Sequence, residues 1–275
     1  MSTDNYKEFR SFIESLTNSF NEQIESRWQA TNVELYNSEF FEVVGGLLAR
    51  QASLTTQFAS NPGNWNAHIA PIILRCQTDV HITLAWILDS HEEREERAKK
   101  YILYGLGQAK LFTEHLESAA EEAEKTDQEE SKEIRKIVDA NRQWINSQRH
   151  DFLTEVNVGH WASLDTRSMA KEANCESLYK YAFTPFSAAV HSTWQHICMF
   201  NLTHCANPLH KYHRIPEVDM NHTSNEADYL YRSIKYLDKS MRIYDQKMDL
   251  DTSSISYALD TYNELTDALN KDANN

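Results

Sequence analysis

Three ionisable residues stand within one of the most apolar segments of the sequence. Residues 69–88 contain Arg75, Asp79 and His81 among mostly aliphatic and aromatic neighbours. Burying an ionised side chain is costly unless it is paired. Because Arg75 and Asp79 are four residues apart, a helix would place them on one face, where they can pair. The pattern therefore has two interpretations, a structural ion pair with a buried histidine or a polar pocket lined by this helix.

The spacing of Arg75 and His81 resembles the Arg-x(4–6)-His pattern of HEPN ribonucleases. In those enzymes the histidine and the arginine act on the 2′-hydroxyl and the scissile phosphate of RNA without a metal ion. In a chain of this composition about 1.7 matches arise from random placement. In a helix the two side chains would also lie roughly 120° apart. The spacing alone therefore does not identify a ribonuclease.

A second polar group follows Pro185. Ser187 and His191 are four residues apart, so a helix brings them within hydrogen-bonding reach of each other, and Trp194 follows on the same segment. A nucleophilic serine usually lies on a tight turn beside an oxyanion-binding loop, and the sequence indicates neither. We therefore expect these residues to line a pocket or to complete the core, and not to form a serine hydrolase site.

Histidine is concentrated in one region of the chain. Six of the twelve histidines lie in residues 191–222, together with Cys198 and Cys205. Zinc sites are usually recognised in a sequence by spacings such as HExxH or CxxC, and the chain has neither. The sequence therefore predicts no metal site and no cofactor, and it leaves open whether these histidines bind a metal.

The composition limits the class of protein. The chain has 275 residues, of which only 6 are glycine and 5 are proline, and its net charge is -14. So few turn-forming residues exclude a many-stranded sandwich or barrel. The acidic excess argues against general binding of DNA, because phosphate contacts need clustered Lys and Arg. RNA stays a predicted partner only if a local pocket of the protein binds it.

No segment is typical of export or membrane insertion. The N-terminus lacks the apolar run of a signal peptide, and residues 69–88 carry three ionisable residues, so they do not resemble a membrane span. The four cysteines have no CxxC spacing and are expected to be reduced. We therefore predict a cytoplasmic protein without membrane contact.

Apolar residues at spacings of three and four predict helices along most of the chain. Pro185 is expected to kink or divide one of them. Ser90 and Thr126 each begin a predicted capping box, with Glu93 and Glu129. Residues 206–222 are expected to form a loop, and Thr223 to cap a helix that ends near residue 247. The other predicted helices cover residues 4–29, 33–59, 66–89, 90–124, 126–149, 165–173, 176–204 and 253–270.

These elements predict an all-α fold, a bundle of about eight or nine helices. Residues 1–275 are expected to form a single domain with peripheral terminal helices. Its core bundle covers residues 30–205, and residues 206–275 add a loop and a C-terminal helical hairpin.

Three stretches together resemble a broad bacterial all-helical family of unknown function. The resemblance covers residues 40–200 and implies an all-α fold, and helical families related to it include HEPN-like proteins of anti-phage and toxin systems. The family often has glycine after the closing histidine, where this chain has Ser192. The polar residues that the resemblance carries over are Arg75, Asp79, Tyr101, Ser187 and His191. The stretches are Ile73–Asp79, the RAxxY helix Arg97–Gly105, and Met169–Trp194 with its S-x-x-V-H motif.

Two functions follow as predictions. The first is a HEPN-like, metal-independent ribonuclease or toxin in which His191 or His81 acts as acid and base and Arg75 binds phosphate. The alternative is a non-enzymatic helical module that binds a small anionic ligand or a partner protein, or that forms a homo-oligomer. The candidate ligand-binding residues are Asp79, Tyr101, Ser187 and Trp194.

Overall fold

The computed structural model describes residues 3–149, 160–218, 226–253 and 255–272. Most of these residues are helical, and the sheet they contain has two short strands, so the all-α prediction is confirmed. Within the described ranges, none of the helices combines the length and apolar character needed to cross a bilayer. The chain divides into two compact units, residues 1–36, 44–90 and 166–275 in the first and 37–43 and 91–165 in the second. The predicted core bundle 30–205 stays a prediction.

The first unit is organised around helix α3 (Ala70–Asp89). Asn66 Oδ1 accepts the backbone N–H groups of His68 and Ile69, and Pro71 occupies the first turn, where its missing N–H is not needed. Both features favour the start of a helix at this point. α3 is buried on nearly all sides because it packs against several helices of the unit, among them α6 (Thr166–Glu172), α8 (Thr184–Val190) and α10 (Ala227–Lys247).

The chain ends contribute to the same core. α1 (Thr3–Ala30) buries Leu16 and Phe20 completely, and α11 (Ala258–Asp272) packs against both α1 and α10. Arg27 on α1 is fully buried and binds both carboxylate oxygens of Asp245 on α10, at 2.9 Å each. A bidentate geometry of this kind offsets the cost of removing both charges from water. Helix α2 covers Ser38–Ala59.

The second unit contains a helical hairpin of α4 (Arg94–Ala123) and α5 (Gln128–Asn146). Both predicted capping boxes are wrong in detail. Ser90 is the C-terminal cap of α3, and α4 begins only at Arg94. At α5 the cap is Asp127, whose carboxylate accepts two backbone N–H groups, and not Thr126. Both predictions fail because capping depends on backbone direction at the residue, which the Ser/Thr-x-x-Glu pattern does not specify.

The helix predicted over residues 176–204 is interrupted beside Pro185, as expected, but it also ends early, at Val190, and resumes at Trp194. It is divided into α7 (Glu176–Leu178), a π-helical turn (Tyr179–Phe183), α8 and α9 (Trp194–Phe200). Pro185 has no N–H with which to continue the helical hydrogen bonds. The π-helical turn lies directly before the start of α8. α8 ends where Ser192 adopts a φ of 47°, while the N–H groups of Ser192 and Thr193 bond to the carbonyls of Ala189 and Ala188. This Schellman arrangement normally uses glycine at the position of Ser192.

A β-hairpin replaces part of the predicted loop. β1 (Leu202–His204) pairs antiparallel with β2 (Arg214–Pro216), and residues 205–213 connect them. Three-residue strands are too short for a period of two to show in the sequence. The predicted cap at Thr223 lies outside the described residues.

Candidate functional site

Arg75 and Ser187, which are 112 residues apart in sequence, meet between α3 and α8. The Nε atom of Arg75 donates a hydrogen bond to Ser187 Oγ at 2.9 Å. The same guanidinium forms an ion pair with Asp79, one turn further along α3. Its Cζ atom also lies 3.1 Å from the centre of the Phe183 ring. We refer to Arg75, Asp79, Phe183 and Ser187 as the Arg75 cluster.

The π-helical turn and α8 together position the partners of Arg75. The Ser187 hydroxyl donates to the carbonyl oxygen of Phe183 at 2.7 Å, so its lone pairs are left to accept from Arg75. The rings of Tyr179 and Phe183 are stacked, with centres 4.7 Å apart. The face of Phe183 is therefore a fixed platform for the guanidinium, an arrangement that favours a cation.

The Arg75 cluster is buried on one side and open on the other. The side chain of Arg75 is 14% exposed, whereas that of Asp79 is 47% exposed. Burial holds the pKa of Arg75 below its ordinary value, although Asp79 opposes this effect. Burial raises the pKa of Asp79, against the opposing effect of Arg75. Because a guanidinium keeps its proton in proteins, Arg75 is a mostly buried positive charge, and Asp79 lies on the side of the cluster that faces solvent.

The guanidinium retains unused donors. Of its five N–H groups, one bonds to Ser187 and one to Asp79. Among the residues that the structure describes, the other three have no hydrogen-bond acceptor. These donors could bind an anion from solvent.

His191 and Trp194 lie after Ser187, at the end of α8 and the start of α9. Both side chains are exposed, Trp194 to 66%. The His191 backbone N–H donates to the carbonyl of Ser187 at 3.0 Å. The Ser187 hydroxyl bonds to Arg75 and the Phe183 carbonyl, and not to the His191 ring as its spacing suggested.

The structure does not bring His81 to the Arg75 cluster. His81 is buried, and its Nδ1 lies 2.9 Å from Ser240 Oγ on α10. Burial, with a smaller contribution from Lys239, lowers the pKa of His81 to about 4. His81 is thus a neutral core residue at pH 7, as the structural interpretation of this helix expected.

Tyr101 lies on α4, in the second compact unit. Its ring contacts Trp161 edge to face at 5.1 Å, and burial raises its pKa. The Arg75 cluster belongs to the first unit.

Sequence reasoning missed a cleft of about 190 Å³ beside α8 and α9. Its polar lining includes His196, whose ring centre lies 5.6 Å from that of His68 and 4.9 Å from that of Phe200. Burial, and then the proximity of His68, lowers the pKa of His196. Most of the lining is apolar and includes Pro71, Pro185, Phe186, Met199, Phe200 and Tyr229.

The connection between β1 and β2 contains a group of metal-ligand side chains. Ligand atoms of Cys205, His210 and His213 all lie within 4.8 Å of one another. The sequence signal was a C-x4-H-x2-H spacing, which was not recognised because it matches none of the common zinc patterns.

A comparison with protein-family models found one match. Residues 41–205 match a model described as a family of unknown function (DUF5677). Comparisons with curated proteins and with solved structures found no match. The family match confirms the resemblance to a helical family of unknown function, and it provides no link to HEPN proteins or to ribonucleases.

Proposed function

The chain belongs to the DUF5677 family of unknown function, whose model covers well over half of its length, and from this premise we propose that it is a helical module that binds a small anionic ligand at the Arg75 cluster. The observation that carries the proposal is the group of three unused N–H donors on a mostly buried guanidinium. The ligand class is a phosphate or carboxylate group, because a guanidinium fork matches the spacing of their oxygens.

Three contacts hold the guanidinium in place before a ligand binds. Ser187 fixes Nε, Phe183 supports one face, and Asp79 holds one terminal nitrogen. A donor that is already ordered loses little conformational entropy when an anion binds. Asp79 has the opposite effect on affinity, since its negative charge repels the ligand.

The carboxylate of Asp79 therefore provides a sharp test. Asp79→Asn keeps the size of the side chain and removes its charge. A like charge a few ångströms away in a solvent-accessible site costs about 1 kcal/mol, so the variant should bind the anion roughly fivefold more tightly. A cluster that only ties α3 to α8 would lose stability in this variant and gain no affinity.

The experiment is calorimetric titration of the purified chain with inorganic phosphate. We expect Arg75→Ala to abolish binding, Arg75→Lys to weaken it, and Asp79→Asn to strengthen it. Arg232→Ala is a matched control, because Arg232 belongs to another Arg–Asp pair four residues apart in which both side chains are exposed. Absence of phosphate binding by the wild-type chain, or equal binding by wild type and Arg75→Ala, would contradict the proposal.

A second candidate function is the metal-independent, HEPN-like ribonuclease with a role in anti-phage defence. The observation that favours it is the exposed position of His191 one turn after Ser187, where an imidazole could transfer protons while Arg75 holds a phosphate. A chain with this activity cleaves RNA in the presence of EDTA. We expect His191→Ala and Arg75→Lys to lose the cleavage and His204→Ala to keep it. RNA that stays intact with the wild-type chain would rule the candidate out. Binding of a partner protein or of a second copy stays a prediction.

A further inference from the structure

The connection between β1 and β2 is folded so that three residues meet. The Cys205 N–H donates to the His213 carbonyl at 3.2 Å, which continues the strand pairing by one step. The N–H of His210 then bonds to the carbonyl of Asn207, and that of His213 to the carbonyl of His210, each at 3.0 Å. These two turns direct His210 back towards Cys205. We refer to Cys205, His210 and His213 as the hairpin triad.

One distance in the hairpin triad already fits a tetrahedral metal ion, and the others lie close to the required length. Cys205 Sγ lies 3.4 Å from His210 Nδ1. Zinc bonded to sulfur at 2.3 Å and to nitrogen at 2.0–2.1 Å in tetrahedral geometry needs about 3.6 Å between these two atoms. A ring nitrogen of His213 is within 4.8 Å of both and must approach to about 3.5 Å. The His213 side chain is exposed, so we expect rotation of its ring to make this adjustment.

A fourth residue, Asn207, contacts the far nitrogen of the His210 ring. Asn207 Oδ1 accepts the N–H of Leu209 at 3.0 Å, and Asn207 Nδ2 lies 3.2 Å from His210 Nε2. An amide nitrogen only donates, so Asn207 Nδ2 bonds to an unprotonated Nε2, and the His210 proton lies on Nδ1, directed at Cys205 Sγ. The non-ligating N–H of a metal-bound histidine donates to an acceptor. Metal binding at Nδ1 therefore requires the proton to move to Nε2 and the Asn207 amide to release that nitrogen.

We propose that the hairpin triad binds one zinc ion through Cys205 Sγ, His210 Nδ1 and a His213 ring nitrogen, with a water molecule as fourth ligand. One thiolate and two imidazoles favour zinc over magnesium or calcium, which prefer oxygen ligands. The fourth ligand is water because both histidines lie exposed at the surface. On binding, the ring proton of His210 moves from Nδ1 to Nε2, the thiol of Cys205 becomes a thiolate and its proton passes to solvent, so affinity falls as the pH is lowered.

The test uses the full chain after removal of metals by a chelator. Titration with Co²⁺ should produce the charge-transfer absorption of a cobalt–thiolate bond and the visible bands of a tetrahedral site, saturating at one ion per chain. Added Zn²⁺ should remove both signals. Cys205→Ser, His210→Ala and His213→Ala should each weaken binding by at least about 100-fold, more than the loss of an outer-shell partner costs.

Two variants serve as matched controls. Cys198 and His204 belong to the same histidine-rich region and are not members of the triad. Cys198→Ser and His204→Ala should therefore leave the titration unchanged, and so should Arg75→Ala, which separates this proposal from the one for the Arg75 cluster. Circular dichroism and a melting curve confirm that each variant is folded, and His210→Gln replaces His210→Ala if the latter is not.

Three results would overturn the proposal. The first is a wild-type chain that shows no thiolate absorption with Co²⁺. The second is equal loss of binding in the triad variants and in the two controls. The third is saturation at half an ion per chain, which would mean that two copies share the metal and that the fourth ligand is not water.

Discussion

Replacing His81 with asparagine should make the stability of the chain less sensitive to mild acid. The imidazole lies in the core, where its Nδ1 lies 2.9 Å from Ser240 Oγ. Ser240 in turn donates to the carbonyl of Tyr236 at 3.0 Å, so its oxygen accepts from His81. The amide nitrogen of asparagine can occupy the Nδ1 position and donate the same hydrogen bond. The substitution therefore removes the titrating group while it keeps the contact.

The magnitude follows from the pKa of His81, which is about 4 in the folded chain against an ordinary value of 6.5. Between these values the unfolded chain binds a proton that the folded chain does not. The contribution to stability is therefore fully present above about pH 6.5 and is lost as the pH falls towards 4. At about 1.4 kcal/mol for each unit, the whole effect is about 3 kcal/mol, of which about 2 kcal/mol is lost between pH 7 and pH 5.

The assay is urea unfolding of the wild type and of His81→Asn at pH 7 and pH 5. The variant loses some packing, but that cost is the same at both pH values and cancels in the difference. We expect the wild type to lose about 2 kcal/mol more than the variant between the two pH values. His204→Asn, at an exposed histidine, should behave as the wild type. Equal losses in the wild type and His81→Asn would refute the reasoning, because His81 would then not be held neutral by burial.

The remaining predictions concern two other places in the first unit. Arg27→Met leaves the carboxylate of Asp245 buried without its partner. It should lower the free energy of unfolding, measured with urea, by about 3–5 kcal/mol. A loss below about 1 kcal/mol would mean that the charge of Asp245 reaches water. Ser192→Gly should raise the melting temperature, corresponding to roughly 0.5–1 kcal/mol, because glycine adopts the positive φ of this helix end without strain. Ser192→Ala keeps the strain and should bring no gain, so an equal gain in both variants would contradict this explanation.

Helices and their approximate positions were predictable because their signals are local. The predicted helix 66–89 corresponds to Ala70–Asp89, and 126–149 corresponds to Gln128–Asn146. The pairing of Arg75 with Asp79 was predictable for the same reason, since residues four apart share a helix face. Apolar periodicity depends only on residues within a few turns of each other.

Details of the backbone were less predictable. The division of residues 176–204 depends on the π-helical hydrogen bonds that precede Pro185 and on the positive φ of Ser192. Pro185 predicted an interruption near its own position, whereas the apolar periodicity does not indicate the end of α8 before Ser192. The hairpin triad was missed for a related reason, because Cys205 and His213 approach each other only through the strand pairing.

By itself, the sequence determined an all-helical chain and the residues able to do chemistry in it. Tertiary structure alone decided which of those residues meet. Arg75 and His81 lie on one helix, but Arg75 faces Ser187 while His81 faces Ser240. The physical reason is that side-chain direction on a helix follows from local geometry, whereas the neighbour on each face comes from residues more than a hundred positions away and is chosen by the packing of the whole core.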